Sequence, residues 1–212
     1  MKKLWIIGDS FSAGFNAPNE GPLSFKNRYS NYKGYTPKFF GEFVSESLGI
    51  EYEILTPFPC DNSRMFSVFI EHLDNFKDGD IISFGWTGQP RLRVVNTKHN
   101  CWVVVNPHKM MEDDLNHDFS VQSLVEMSVN RMHPYYMEEL KLWMVAVNRL
   151  VPKCKVIHWS WTEKWLDTEF ESIKNETKDF IDDFHWSENG HREFAKWFLE
   201  VYDGNIINEC YK

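Results

Sequence analysis

Four short apolar runs separated by segments of helical periodicity predict an α/β domain, with helices covering both faces of a mainly parallel sheet. The runs cover residues 3–7, 52–55, 80–86 and 155–159, each apolar enough to be buried on both faces. Between them lie stretches whose apolar residues recur at three- and four-residue steps. In such sheets the chemistry gathers at the carboxyl ends of the strands.

The elements follow in order. The start MKKLWII resembles a secretory leader in outline, but Gly8 and Asp9 stop its apolar run, so it reads as the first strand. Thr36 caps and Pro37 opens a helix carrying Phe40, Phe43, Val44, Ser47 and Leu48, which Gly49 ends. A second helix follows Asn62, with Met65, Phe66, Phe69, Leu73 and Phe76 inward and Gly79 after it. A third follows Pro134. A fourth follows Ser187, with His191, Phe194, Ala195, Phe198 and Tyr202 on one stripe. Residues 91–105 break the rhythm: RLRVV and CWVVV around a polar turn predict an inserted β-hairpin. Residues 106–133 suggest no element. With 212 residues, no internal repeat and no Pro/Gly/Ser linker, the expectation is one domain over 1–212.

Composition narrows the function. Seventeen Phe, nine Trp and eight Tyr provide a real core and argue against disorder. Twenty-three Lys and Arg against thirty-one Asp and Glu give a net charge of −8, so no cationic field recruits nucleic acid. Cys60, Cys101, Cys154 and Cys210 form no CxxC pair, which suits a reducing compartment. No apolar run is long enough to span a bilayer, and the expected setting is cytoplasmic or otherwise soluble, without a signal peptide.

Gly8-Asp9-Ser10-Phe11-Ser12 follows the first strand directly, placing Ser10 on the turn at its carboxyl end. Taken alone, the tripeptide also suits an ordinary turn or helix cap. A partner for Ser10 stands near the other end, in Asp182-Asp183-Phe184-His185-Trp186-Ser187. A carboxylate three residues before a histidine can accept the Nδ1 proton, fix the tautomer and leave Nε2 as a base. On that spacing Asp182 is the partner and Asp183 a solvated neighbour. An isolated pair of this kind also occurs as a turn residue and a helix-entering histidine.

Together the two ends resemble the SGNH hydrolase superfamily, the GDSL-like esterases and lipases, with GDS after the first strand and DxxH before the last helix. The resemblance implies a three-layer α/β/α sandwich with a flavodoxin-like sheet. It also implies a nucleophile at Ser10, a general base at His185 and an orienting acid at Asp182. The middle blocks depart from the family. No glycine follows the second strand, and Thr87 in Gly85-Trp86-Thr87-Gly88-Gln89 stands where the family's asparagine is expected. The Ser10 N–H, Asn62 and Thr87, with Gln89 beside them, are the expected oxyanion donors. Asp9, Trp86, Gln89 and Trp186 are candidates to line a substrate cleft.

Other constellations are weaker. His99, His108, His117 and His133 with Glu112, Asp113, Asp114 and Asp118 lack any spacing that sets two metal ligands on one face, so no metal is expected. His191 falls on the buried stripe of the last helix and reads as a core residue. Trp159, Trp161, Trp165 and Trp186 read as core or cleft rings, with Trp159 assigned to the core and Trp186 to the cleft. The first loop, GDSFSAG, lacks the glycine pattern that cradles phosphates, which disfavours a nucleotide binder. The expected function is a serine ester hydrolase without a cofactor, and the resemblance implies small acyl esters, including O-acetyl groups on carbohydrate, as its substrates. The alternative is a binding or structural module that kept the fold while its oxyanion site eroded.

Overall fold

The computed structural model describes residues 2–15, 25–55, 61–87, 92–96, 101–105, 133–161, 169–178 and 180–206. Its strands are β1 (Lys3–Gly8), β2 (Glu51–Ile54), β3 (Ile81–Trp86), β4 (Leu92–Asn96), β5 (Cys101–Val105) and β6 (Lys155–Ser160). Its helices are α1 (Phe25–Lys33), α2 (Phe40–Leu48), α3 (Asn62–Glu71), α4 (His133–Leu150), α5 (Ile173–Thr177) and α6 (Glu188–Asp203). Among these residues no helix is long and apolar enough to cross a membrane.

Strands β2, β1, β3 and β6 form one parallel sheet in that spatial order. Alternate residues of β1 enter opposite cores. Leu4 and Ile6 join Phe40 and Val44 of α2 and Phe194 and Phe198 of α6. Trp5 and Ile7 join Met65 and Phe69 of α3 and Leu140, Met144 and Val147 of α4. Period-two strands sandwiched between period-3.6 helices thus give the three-layer α/β/α arrangement, as the sequence predicts. The chain reverses direction across the sheet between β1 and β3, so the switch point lies at their carboxyl ends.

The amino edge of the sheet is closed by Asp80. Its carboxylate accepts from Lys3 N (2.9 Å), Lys77 N (3.0 Å) and the Trp5 indole (2.8 Å), which locks β1 against the turn before β3. The hairpin forms as expected, with β4 and β5 antiparallel from Leu92↔Val105 to Asn96↔Cys101 in a sheet of their own.

Helix ends show where local chemistry overrides the simpler reading. Helix α2 starts at Phe40 rather than at Thr36-Pro37, because Glu42 reaches back to the Phe39 N–H (2.9 Å) while the Lys38 N–H donates to Glu188 (3.1 Å). At α3 the cap is Asp61, whose carboxylate accepts from Arg64 N (2.7 Å), and Asn62 is the first helical residue. Ser187 caps α6 as expected, accepting from Gly190 N (3.1 Å). Gly190 has no room for a side chain, since a Cβ there would strike the Glu171 carbonyl. Helices α1 and α5 were not expected: α1 is polar throughout except for a few buried anchors such as Tyr29, and α5 is only five residues long.

Candidate active site

The register sets the site. Gly8 pairs with Gly85 and Trp86 with Ser160, so Ser10, Thr87 and Trp161 follow three neighbouring strands at one level of the carboxyl edge. The turn that carries Ser10 is wound by Asp9. Its carbonyl accepts from the N–H groups of Ser12 (3.0 Å) and Ala13 (3.1 Å), and its Oδ1 accepts from Phe11 N (3.0 Å). The turn lies close against the sheet because Ser12 packs on the Cα atoms of Gly8 and Gly85, where any side chain would collide with its hydroxyl. Ser10 itself stays half-buried, with its hydroxyl at the edge.

His185 arrives on a loop that is strapped rather than loose. The N–H groups of Ile173, Lys174 and Ser187 donate to the carbonyls of His185 (2.8 Å), Asp183 (2.8 Å) and Glu171 (2.9 Å), and Ser172 bridges Trp186 in antiparallel fashion. Tyr29 of α1 adds a clamp, accepting from Glu188 N (2.9 Å) and donating to Glu176 of α5 (2.5 Å). Burial and the Glu176 carboxylate push the Tyr29 phenol up, so it remains a donor. Burial works to raise Glu176, but hydrogen bonds from Lys33 and Tyr29 prevail and hold it below the usual carboxylate range.

This framework sets the His185 Nε2 at 2.7 Å from the Ser10 Oγ, and its Nδ1 at 2.7 Å from Asp183 Oδ1. The acid touching the histidine is therefore Asp183. Asp182 does not reach it: its side chain is 74% exposed and pairs with Lys174 at 2.9 Å, whereas that of Asp183 is 16% exposed. The reason is local geometry. Asp183 Oδ1 also accepts from the His185 backbone N–H (2.8 Å), an Asx turn that brings carboxylate and imidazole together across two residues instead of three. Burial raises the Asp183 carboxyl, but the hydrogen bond and charge of His185, with the field of Arg28, outweigh it and hold the group ionised.

Opposite this chain, Asn62 and Thr87 meet. Asn62 Oδ1 accepts from Thr87 N (2.8 Å) and Asn62 Nδ2 donates to Thr87 O (3.1 Å). The pair latches the start of α3 to the end of β3, both residues being buried. One amide hydrogen and the carbonyl of Asn62, expected as an oxyanion donor, thus serve the latch. Among the described residues, no acceptor takes the Ser10 N–H.

The cleft candidates fare differently. Trp86 is buried between Phe84 and Trp143 and donates to His158 Nδ1 (2.9 Å), so it belongs to the core on the α3/α4 side. Trp186 is also core, 5% exposed and packed on Trp159 and Phe194. Trp159 lies in the core as expected, donating to Ser83 Oγ (2.9 Å). Asp9 is buried as well and holds the nucleophile turn. Gln89 lies outside the described residues, as do Cys60, Trp165, His99, His108, His117, Glu112, Asp113, Asp114, Asp118 and the rest of 106–132. Among the described residues, no three His, Cys, Asp or Glu side chains gather as a metal site.

Two buried histidines stay neutral. Burial, aided at His191 by the fields of His185 and Lys26, pushes His158 and His191 down to about 3. His191 is the core residue its helical position predicts. Phe11 is the neighbour of the base that the sequence does not single out, and Trp161, read as a core or cleft ring, lies behind it. The Phe11 ring stacks on His185 (centroids 4.5 Å, 26°) and Trp161 stacks on Phe11 (4.9 Å, 11°). No protein-family model, curated protein or solved structure matches the chain.

Proposed function

We propose that the chain is a serine ester hydrolase of the SGNH type. The observation that carries this reading is the unbroken hydrogen-bond chain from Ser10 Oγ through His185 to Asp183. Ser10 Oγ attacks an ester carbonyl while His185 Nε2 takes its proton, and Asp183 stabilises the resulting imidazolium through Nδ1. As the tetrahedral intermediate collapses, the same proton passes to the leaving alkoxide, and an acyl-serine remains. Water, deprotonated by His185, then attacks the acyl carbon and releases the acid. The Ser10 N–H and the Asn62 side chain are the donors assigned to the developing oxyanion.

Small acyl esters, including O-acetyl groups on carbohydrate, are the substrates the reading favours. The Asn62–Thr87 latch favours the other reading, a module with weak or no turnover, because it commits part of the expected oxyanion donor set to the fold. Hydrolysis of p-nitrophenyl acetate, followed with the mass of the acetylated protein, separates the two. Turnover through an adduct on Ser10 supports the hydrolase, and neither turnover nor adduct supports the module.

A further inference from the structure

Beyond the hydrogen bonds at its two nitrogens, the His185 ring has a contact on its face. Phe11, the residue next to the nucleophile, stacks on the imidazole at 4.5 Å with 26° between the planes, and Trp161 stacks on Phe11 at 4.9 Å and 11°. Asp9 holds both residues. Its Oδ1 accepts from the Phe11 N–H (3.0 Å) and its Oδ2 from the Trp161 indole (2.8 Å), so one buried carboxylate ties the nucleophile turn to the end of β6.

We propose that Phe11, backed by Trp161 and keyed by Asp9, is the positioning residue of the base. It holds the His185 plane that aims Nε2 at Ser10 and favours the imidazolium formed as Ser10 loses its proton. The inference rests on His185 being the base. The two hydrogen bonds fix the ring in its own plane, yet both tolerate a tilt about the axis joining the nitrogens. A stacked ring resists that tilt, and an aromatic face attracts a cation more than a neutral ring. The support is therefore stronger in the transition state than before it, which is the condition for raising kcat.

Groups around His185 on the surrounding elements include Asp183 on its own loop, Ser10 on the β1 turn, Arg28 on α1 through Asp183, and neutral His191 on α6 with Lys26 of α1 beside it. None of them changes when Phe11 does.

The test is kcat and KM for p-nitrophenyl acetate across pH, together with the rate of fluorophosphonate labelling, in the full chain and its variants. Phe11→Leu should lower kcat about tenfold at unchanged KM. It should also move the rising limb of the pH profile about half a unit toward acid, the direction expected when an imidazolium loses a favourable partner. Phe11→Tyr, which keeps the ring, should restore both. Trp161→Leu should lower kcat severalfold, and it stands in as the test if Phe11→Leu does not fold. Wild-type kcat and pH profile in the folded Leu variants, or a folded Phe11→Tyr as impaired as Phe11→Leu, would overturn the proposal. A wild-type protein that never labels at Ser10 would instead remove the base assignment and the inference with it. Labelling at Ser10 alongside insensitive Phe11 and Trp161 variants would remove the positioning role alone.

Discussion

The two halves of the carboxyl edge use their polar groups in opposite ways. On one side Ser10, His185 and Asp183, from a strand turn and a loop 175 residues further on, pass hydrogen bonds in one direction from a half-buried hydroxyl to a carboxylate. On the other, Asn62 and Thr87 return each other's bonds and close the α3–β3 junction. A directed chain leaves one end open for chemistry. A reciprocal pair contributes to stability, because each buried backbone group it satisfies would otherwise carry a desolvation penalty of about 1–3 kcal/mol. The comparison teaches that buried polar residues at a strand end are told apart by where their bonds go.

The sharpest way to break the comparison is to remove the open end. Ser10→Ala should abolish turnover of p-nitrophenyl acetate while the melting temperature stays within a degree or two, since a half-buried hydroxyl contributes little packing. An Ala variant retaining wild-type turnover would strip the chain of its role.

Next in size is the choice between adjacent carboxylates. Asp183→Asn should lower kcat/KM by about a thousand- to ten-thousandfold by upsetting the imidazole tautomer. Asp182→Asn, which breaks only an exposed pair with Lys174, should stay within about twofold. Equal losses in the two variants would show that the loop rearranges in solution.

The opposite half should respond in both activity and stability. Asn62→Ala should lower kcat about a hundredfold and also cost about 1–3 kcal/mol for each of the two hydrogen bonds it removes from the buried Thr87 backbone. Thr87→Val should do much less, since the latch uses backbone atoms that valine supplies equally. A catalytic loss in Asn62→Ala with no change in unfolding free energy would turn the latch back into a dedicated oxyanion donor.

Acid should weaken the whole fold before it reaches the carboxylates. His158 and His191 sit near 3 when folded and near 6.5 when unfolded, so between those values the unfolded chain binds more protons. Stability is then full above about pH 6.5 and falls with acid at about 1.4 kcal/mol per pH unit for each histidine. Asp183, also lowered on folding, adds its own loss only below about pH 4. Urea unfolding from pH 7 to 4 should give a slope that His191→Leu reduces by about half. A slope the same in both proteins would exclude neutral burial of His191.

Much of this architecture is legible because it rests on local rules. Apolar runs marked all four strands of the main sheet, the Ser187 cap located α6, and the position of Ser10 after β1 followed from Gly8 and Asp9. The failures occurred where two chemistries compete over short distances. Asp182 and Asp183 are one residue apart, and only the Asx turn at His185 decides between them, although an Asp two residues before a histidine is itself a signal for such a turn. Trp86 and Trp186 lie beside the site in sequence, yet strand alternation and the α6 core turn both rings inward. Asn62 could not be resolved from sequence, because its bonding depends on a backbone 25 residues away. Phe11 is not legible for the same reason: its partners are residues 161 and 185, joined to it only by the fold.

The central claim is that the Ser10–His185–Asp183 chain activates a nucleophile, and covalent labelling tests it without knowledge of the natural ester. Intact-mass spectrometry after treatment with a fluorophosphonate should show one adduct per chain, mapped to Ser10. The adduct should be absent in Ser10→Ala, form far more slowly in Asp183→Asn and form at the wild-type rate in Asp182→Asn. No adduct on the wild-type protein, or an adduct that forms equally fast in Asp183→Asn, would contradict the account.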